Sequence, residues 1–187
     1  ASGYTGADLV RLAITHPAIE IVALAANQKA GLHMADIWPH FAPYRQLPRL
    51  VRADAVPWGN VDAVFGCLPH AASAELLSTL DTRIRIIDLS ADFRLDDAEI
   101  YGEWYGATHP APELLPQAVY GLTEMARPAL AAARLVACPG CYPTAALLTL
   151  LPLAHAGLIR PANITINALS GVSGAGRGLK ESNLFAE

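Results

Sequence analysis

An α/β fold with a doubly wound parallel sheet is what this sequence predicts, on three observations. Short, nearly continuous apolar runs recur along the chain, the kind a parallel sheet buries on both faces. Between them lie stretches with apolar residues at helical spacing, and such alternation builds a parallel sheet covered by helices. Composition agrees: 53% of the 187 residues are hydrophobic and 16% charged, against roughly 25% charged in an average soluble domain. A chain of this length holds one well-filled core, or one domain and part of another.

The elements follow in order. The opening ASGYTG runs straight into a helical pattern carried by Leu9, Leu12 and Ala13, and Pro17 closes it. Residues 19–26 (IEIVALAA) form the first apolar strand. A loop-rich stretch follows, punctuated by Gly31, Pro39, Pro43, Pro48 and Pro57. Residues 61–68 (VDAVFGCL) are a second strand, and HAASAELLSTL after it fits a helix. Residues 83–90 (RIRIIDLS) are a third strand, ending in the polar run SADFR. Residues 92 to 118 read as irregular and aromatic, with Tyr101, Trp104 and Tyr105. RLVACP is a fourth strand and residues 142–156 a helix. Residues 163–170 (NITINALS) are a last strand, feeding the glycine-rich SGVSGAGRG.

Several classes of function are disfavoured. The net charge is −4 with no Lys/Arg cluster, unlike the basic face of a nucleic-acid binder. The best candidate for a membrane span, residues 145–159, is broken by Pro152 and His155 and falls short of about 20 apolar residues. Three cysteines, Cys67, Cys138 and Cys141, are an odd count that does not suit a secreted disulfide framework. A reducing cytoplasm is the expected setting.

In the opening Ser2-Gly3-Tyr4-Thr5-Gly6, two glycines three apart precede a helix. Such a loop lets a phosphate approach the free N–H groups and positive dipole end of that helix. A further glycine ahead of Ala1 would complete a dinucleotide fingerprint, so the first strand of a Rossmann-like domain is expected to be missing. The alternative is a tight turn without a ligand. Families using NAD place an acid roughly 20 residues on, at the ribose. That turn here reads AANQKAG, with no acid. A neutral or basic turn suits a 2′-phosphate, which favours NADP(H) with Lys29 beside it, unless Lys29 is a solvated surface residue.

CPGC at 138–141 admits four readings. A thioredoxin-type redox pair has the right spacing and a following helix. A metal site lacks a second ligand pair at zinc spacing, and no metal is expected. Two small buried thiols would be purely structural. The nucleophile reading fits best: Cys141 follows Gly140 in the first turn of a helix, with Pro143 at an early helical position. The helix dipole there favours the attacking thiolate.

Six motifs occur in order: ASGYTG, LPHAAS, DLSADFR, VYGLTE, CPGCYPTA and SGVSGAGR. Together they make the chain resemble the N-acetyl-gamma-glutamyl-phosphate reductases, relatives of aspartate-semialdehyde dehydrogenase. The resemblance implies an NADPH-dependent reductive dephosphorylation of N-acetyl-glutamyl 5-phosphate to the 5-semialdehyde, in arginine biosynthesis. Its nucleophile maps onto Cys141, which would form a thioester and release phosphate. It also implies a homo-oligomer, commonly a dimer or tetramer. The expected domains are 1–140, a Rossmann-like NADP-binding domain, and 141–187, the truncated start of an α+β catalytic and dimerisation domain.

His70 and Ser73 follow a strand end, where α/β sheets bind ligands, and are expected near the cofactor, with a plain helix start as the alternative. Ser90, Arg94 and Gly140 are expected at the substrate, although Arg94 could instead pair with Asp88 or Asp92 and hold its loop. Ser173 and Gly174 are expected at the cofactor, in line with the family's use of that stretch, with an ordinary flexible loop as the alternative. Three departures stand out. Cys138 occupies the place of a frequent Asn, and ANQK replaces a turn that often begins with Ser and a basic residue. The family's catalytic histidine is expected beyond Glu187, since none of the six histidines matches it. Alternatives are a sister acyl-phosphate reductase, a non-catalytic nucleotide-binding protein, or a CxxC redox protein.

Overall fold

The structure, a computed structural model, describes residues 1–69 and 71–178. It divides into two compact units, Ala1–Val61 with Ser170–Glu187, and Asp62–Leu169.

In the first unit, α1 (Tyr4–Ile14) buries Gly6, Ala7 and Val10, one face of a 3.6-residue repeat. Leu12, expected on that face, lies away from it and is exposed. Val10 packs with Leu24, Met34, Phe41, Leu47 and Leu50 in one cluster. Each such side chain contributes roughly 1.5–3 kcal/mol when fully buried. The strand expected at 19–26 pairs only in its last part. There β1 (Leu24–Ala25) runs parallel to β2 (Leu50–Val51). The stretch between them, read as loop, contains the short helix α2 (Met34–Ile37). Asp36 accepts the His33 N–H at 2.8 Å and closes its first turn.

The second unit is built on a four-stranded parallel sheet in the order β3–β4–β6–β5. Its strands are β3 (Ala63–Gly66), β4 (Arg85–Asp88), β5 (Ala118–Tyr120) and β6 (Leu135–Ala137). Ile86 and Leu135 are wholly buried within it, as apolar strands covered on both faces should be. Helix α3 (Ala72–Leu77) connects β3 to β4, and α5 (Thr123–Ala132) connects β5 to β6. After β6 comes α6 (Cys141–His155), the longest helix among the described residues. No helix among those residues is long and apolar enough to cross a membrane.

Two expectations are corrected. Residues 92 to 118 are not irregular throughout, because α4 (Ala98–Tyr105) lies within them. Its N-cap Asp97 accepts the N–H groups of Glu99 and Ile100, and Gly106 ends it in the left-handed conformation at φ 69°. Conversely, residues 163–170 form no strand. A strand needs a partner for its N–H and C=O groups, and no described strand pairs with this one. Its Ile166 and Leu169 stand in solvent.

Candidate functional site

Register places Gly66, Asp88, Ala137 and Tyr120 in one row at the carboxyl ends of the four strands. Loops at these ends are where α/β sheets gather ligand-binding groups. The ladder continues one residue further: Leu89 N–H donates to Gly66 C=O, Cys138 N–H to Asp88 C=O, and Gly121 N–H to Ala137 C=O. The bond from Cys138 ties the start of CPGC to β4, and the bond from Gly121 brings the VYGLTE segment against it. A Cβ on Gly121 would lie 3.0 Å from Val136 Cγ1 and 3.3 Å from Cys138 Cα. A side chain there would have to push these neighbours back by a few tenths of an ångström.

Arg94 secures the same loop. Its Nε donates to Cys138 C=O at 2.8 Å and its Nη2 to Leu89 C=O at 3.0 Å. A Cβ on Gly140 would come within 3.1 Å of Arg94 Nη1, so the guanidinium lies directly against Gly140. The alternative pairing of Arg94 with Asp88 or Asp92 does not occur, because other donors occupy both carboxylates.

Asp88 is wholly buried. Ser73 Oγ donates to its Oδ1 at 2.6 Å and Ser90 Oγ to its Oδ2 at 2.5 Å. Burial pushes the Asp88 carboxyl above its ordinary pKa, and the two serine hydroxyls oppose that rise. Ser73 and Ser90 therefore face a buried carboxylate, where sequence alone had set them at cofactor and substrate. Gly66 makes room for this group: a Cβ there would sit 2.8 Å from Asp88 Oδ1 and 3.2 Å from Ser73 Oγ.

Asp92, equally buried, accepts the N–H groups of Ala71 and Ala74 at 2.8 and 2.9 Å and so caps α3 from a distant loop. Tyr101 donates to Asp92 Oδ1 at 3.2 Å, and burial beside that carboxylate pushes the phenol up to about 12. Ala111 N–H donates to His109 Nδ1. The ring proton therefore sits on Nε2, which donates to Asp92 C=O at 2.8 Å. Sequence reasoning missed this Asp92–Tyr101–His109 cluster.

The three thiols differ sharply. Cys141 is exposed, whereas Cys67 and Cys138 are half-buried. Burial, reinforced by Asp88 and Cys138, pushes Cys67 up to about 11. Cys138 is also raised, by burial and then by Asp88, while Arg94 pulls the other way. Both are poor thiolates.

Cys141 is the first residue of α6, and its N-cap Gly140 offers no side-chain cap. Pro143 carries no N–H, and Thr144 donates both its N–H and its Oγ1 to Gly140 C=O, at 2.9 and 2.8 Å. The free amides of this helix terminus are thus those of Cys141 and Tyr142. An exposed thiol beside two unspent backbone donors can attack a carbonyl and stabilise the oxyanion that results.

The glycine loop belongs to the first unit. Gly3 is the N-cap of α1, without a side-chain cap, and no acid stands in the first turn. A Cβ on Gly3 would meet nothing within 4 Å, whereas one on Gly6 would lie 2.7 Å from Ala1 C=O. The first glycine leaves the backbone open to a ligand, and the second permits close packing of helix on chain. These are the roles glycines have in a dinucleotide fingerprint, so the loop fits a nicotinamide dinucleotide. Ser2 is half-buried, Tyr4 and Thr5 are exposed, and Lys29 is exposed in the acid-free turn after β1. Ser173 and Gly174 lie in a turn at Val172–Ala175. Shortly after it, Arg177 Nη1 donates to Ser2 C=O at 3.3 Å. His70 lies outside the described residues. Among those residues, no cluster of three His, Cys, Asp or Glu side chains could hold a metal.

Two family models match the chain. One is described as semialdehyde dehydrogenase, NAD binding domain, over residues 1–133, and the other as semialdehyde dehydrogenase, dimerisation domain, over residues 141–187. Among similar proteins is a probable chloroplastic N-acetyl-gamma-glutamyl-phosphate reductase of Oryza sativa subsp. japonica. It is 53% identical over 187 residues, covering 100% of this chain and 45% of that protein. An N-acetyl-gamma-glutamyl-phosphate reductase of Rhodospirillum rubrum is 53% identical over 192 residues, covering 100% of this chain and 54% of the relative. The chain spans about half the length of the curated relatives it matches.

Proposed function

The chain belongs to the semialdehyde dehydrogenase family, and from that premise we propose that it carries the nucleophile and cofactor loop of an NADP-dependent acyl-phosphate reductase. The substrate is N-acetyl-glutamyl 5-phosphate and the product N-acetyl-glutamate 5-semialdehyde, the step that arginine biosynthesis requires. The observation that carries this reading is Cys141, an exposed thiol at the start of α6 with two free amides beside it. The names of the relatives supply the substrate.

Cys141 attacks the acyl carbonyl; the amides of Cys141 and Tyr142 take the developing oxyanion, and phosphate leaves with the electrons of the C–O bond. A thioester on Cys141 remains. NADPH, when bound, supplies the hydride that reduces it to a thiohemiacetal. That species collapses to the aldehyde and frees the thiolate. Arg94 holds Cys138 and Gly140 in place, and its charge beside Gly140 draws the acyl phosphate to the loop. Ser2, Gly3, Tyr4, Thr5 and Gly6 would hold the dinucleotide pyrophosphate through their backbone, and Lys29, exposed in an acid-free turn, would pair with its 2′-phosphate. Ser173 and Gly174 bring a second glycine-rich turn to the cofactor. Ser73 and Ser90 support the site from beneath through Asp88.

The proposed domains run from 1 to 140 for cofactor binding and from 141 for catalysis and dimerisation. The match to a dimerisation domain supports a homo-oligomer. The proposed setting is the cytoplasm, which keeps the three free thiols reduced. The test is phosphate-dependent NADP reduction with N-acetyl-glutamate semialdehyde, on the purified protein and its Cys138→Ser and Cys141→Ser variants. Activity should require phosphate, persist in Cys138→Ser and vanish in Cys141→Ser. Activity on aspartate semialdehyde alone would transfer the chain to a sister substrate.

A further inference from the structure

Arg177 ends the SGVSGAGR motif yet has no part in the chemistry above. Its Cζ stands 4.3 Å from the centroid of the Trp38 ring, a cation–π contact. Trp38 in turn packs on Tyr4 of the glycine loop, with ring centroids 5.5 Å apart. One guanidinium nitrogen, Nη1, donates to Ser2 C=O at 3.3 Å. Arg177 is therefore fixed at two points beside the N-terminus of α1, one residue from the N-cap Gly3.

Stacking uses the face of a guanidinium and leaves its N–H edge available. Among the described residues, no carboxylate pairs with Arg177, and Nη1 to Ser2 is its only hydrogen bond. Trp38 Nε1, buried on the same seat, also has no partner there. A cation with donors to spare thus stands where the first turn of α1 has free N–H groups, an open backbone at Gly3 and no acid. Everything at this spot favours an anion, and the family model that covers the loop is a nucleotide-binding domain.

We propose that Arg177, seated on Trp38 and tied to Ser2, is a cofactor-binding residue whose free N–H edge takes the pyrophosphate of the dinucleotide on the glycine loop. This rests on the reading of that loop as the cofactor site. Arg177 would add a charged donor to the free amides of α1 at the pyrophosphate. Because Arg177 lies 175 residues from Ser2 in sequence, cofactor binding fastens the SGVSGAGR segment to the loop.

Isothermal titration calorimetry with NADPH and with 2′-AMP, on the purified protein and its Arg177→Ala and Arg177→Lys variants, tests this. Loss of a charge-assisted contact should weaken NADPH binding roughly ten- to hundredfold in Arg177→Ala. Binding of 2′-AMP, which has no pyrophosphate, should not change. Arg177→Lys should recover part of the loss, as a point charge without the planar fork. The alkylation of Cys141 by iodoacetamide should be unaltered, and the unliganded melting midpoint should fall only by the small amount that the contact of the exposed Arg177 with Trp38 is worth. Undiminished NADPH binding in Arg177→Ala overturns the proposal. So does an equal loss for 2′-AMP, which would put Arg177 at the 2′-phosphate. A loss matched by a much lower unliganded melting midpoint and not rescued by lysine would make Arg177 a structural strap. If the unmutated protein fails to bind NADPH at all, the cofactor reading falls, and this inference with it.

Discussion

Cys141 and Asp88 show how differently single residues disclose themselves. Gly140 before Cys141 and Pro143 after it mark the start of a helix in the sequence, and the structure begins α6 there. Ser90, two residues on, is a local partner of Asp88, but no local spacing announces that Ser73 of α3 meets it too. Ser73 and Ser90 consequently read as ligand contacts when their hydroxyls serve a buried carboxylate. Ser73→Ala should destabilise the fold by about 1.5–3 kcal/mol when Asp88 is ionised, as urea unfolding would measure. Burial raises the folded pKa of Asp88 above its unfolded value, so ionisation costs stability and the cost appears as pH rises through the folded pKa. Removing a donor that stabilises the anion raises that pKa further. The penalty of Ser73→Ala should therefore shrink as pH falls below the Asp88 titration. A penalty that grows toward low pH would contradict the assignment.

At the scale of elements, apolar strands were the most legible, although β3 is less buried than its run suggests, with Ala63 and Phe65 exposed. Residues 61–68 and 83–90 contain β3 and β4 because continuous apolar runs have few other uses in a chain this polar at its turns. Helix α4 was missed although Asp97 and Gly106 are the signals of its two ends; its aromatic composition resembled a loop. Residues 163–170 show the opposite error. Alternating Ile164 and Ile166 indicate which side faces which way, but not that a neighbouring strand is present to pair. The fit of β3 to β4 makes a sharper test. A Cβ on Gly66 would sit 2.8 Å from Asp88 Oδ1 and 3.1 Å from Leu77 Cδ1. Gly66→Ala should cost about 1–3 kcal/mol by overpacking, read as a lower urea midpoint at unchanged slope. An unaffected midpoint would show that the pocket around Asp88 yields freely. At the loop after β6, Arg94→Ala frees the carbonyls of Cys138 and Leu89. It should lower kcat/KM at least tenfold while Cys141 remains open to iodoacetamide; full activity would remove Arg94 from the site.

Over the whole molecule, six ordered motifs made the family legible, because a loop, a nucleophile and a glycine-rich turn each need particular residues. Assembly was less so. Helix α6 is apolar yet buries none of its residues, and Leu169 beyond it is fully exposed. The match to a dimerisation domain is what supports oligomerisation. Sedimentation equilibrium at micromolar concentration should give a mass of at least two chains; a single-chain mass would contradict a homo-oligomer.

The most direct test of the account is to trap the acyl-enzyme. The purified protein is mixed with N-acetyl-glutamyl 5-phosphate in the absence of NADPH, quenched in acid, and analysed by peptide mass spectrometry with released phosphate measured in parallel. One N-acetyl-glutamyl group per chain on the peptide containing Cys141, matched by one phosphate and absent from Cys141→Ser, is the expected result. An acyl group on Cys138 or Cys67, or no stable adduct in the unmutated protein, would show that Cys141 is not the residue on which this chemistry turns.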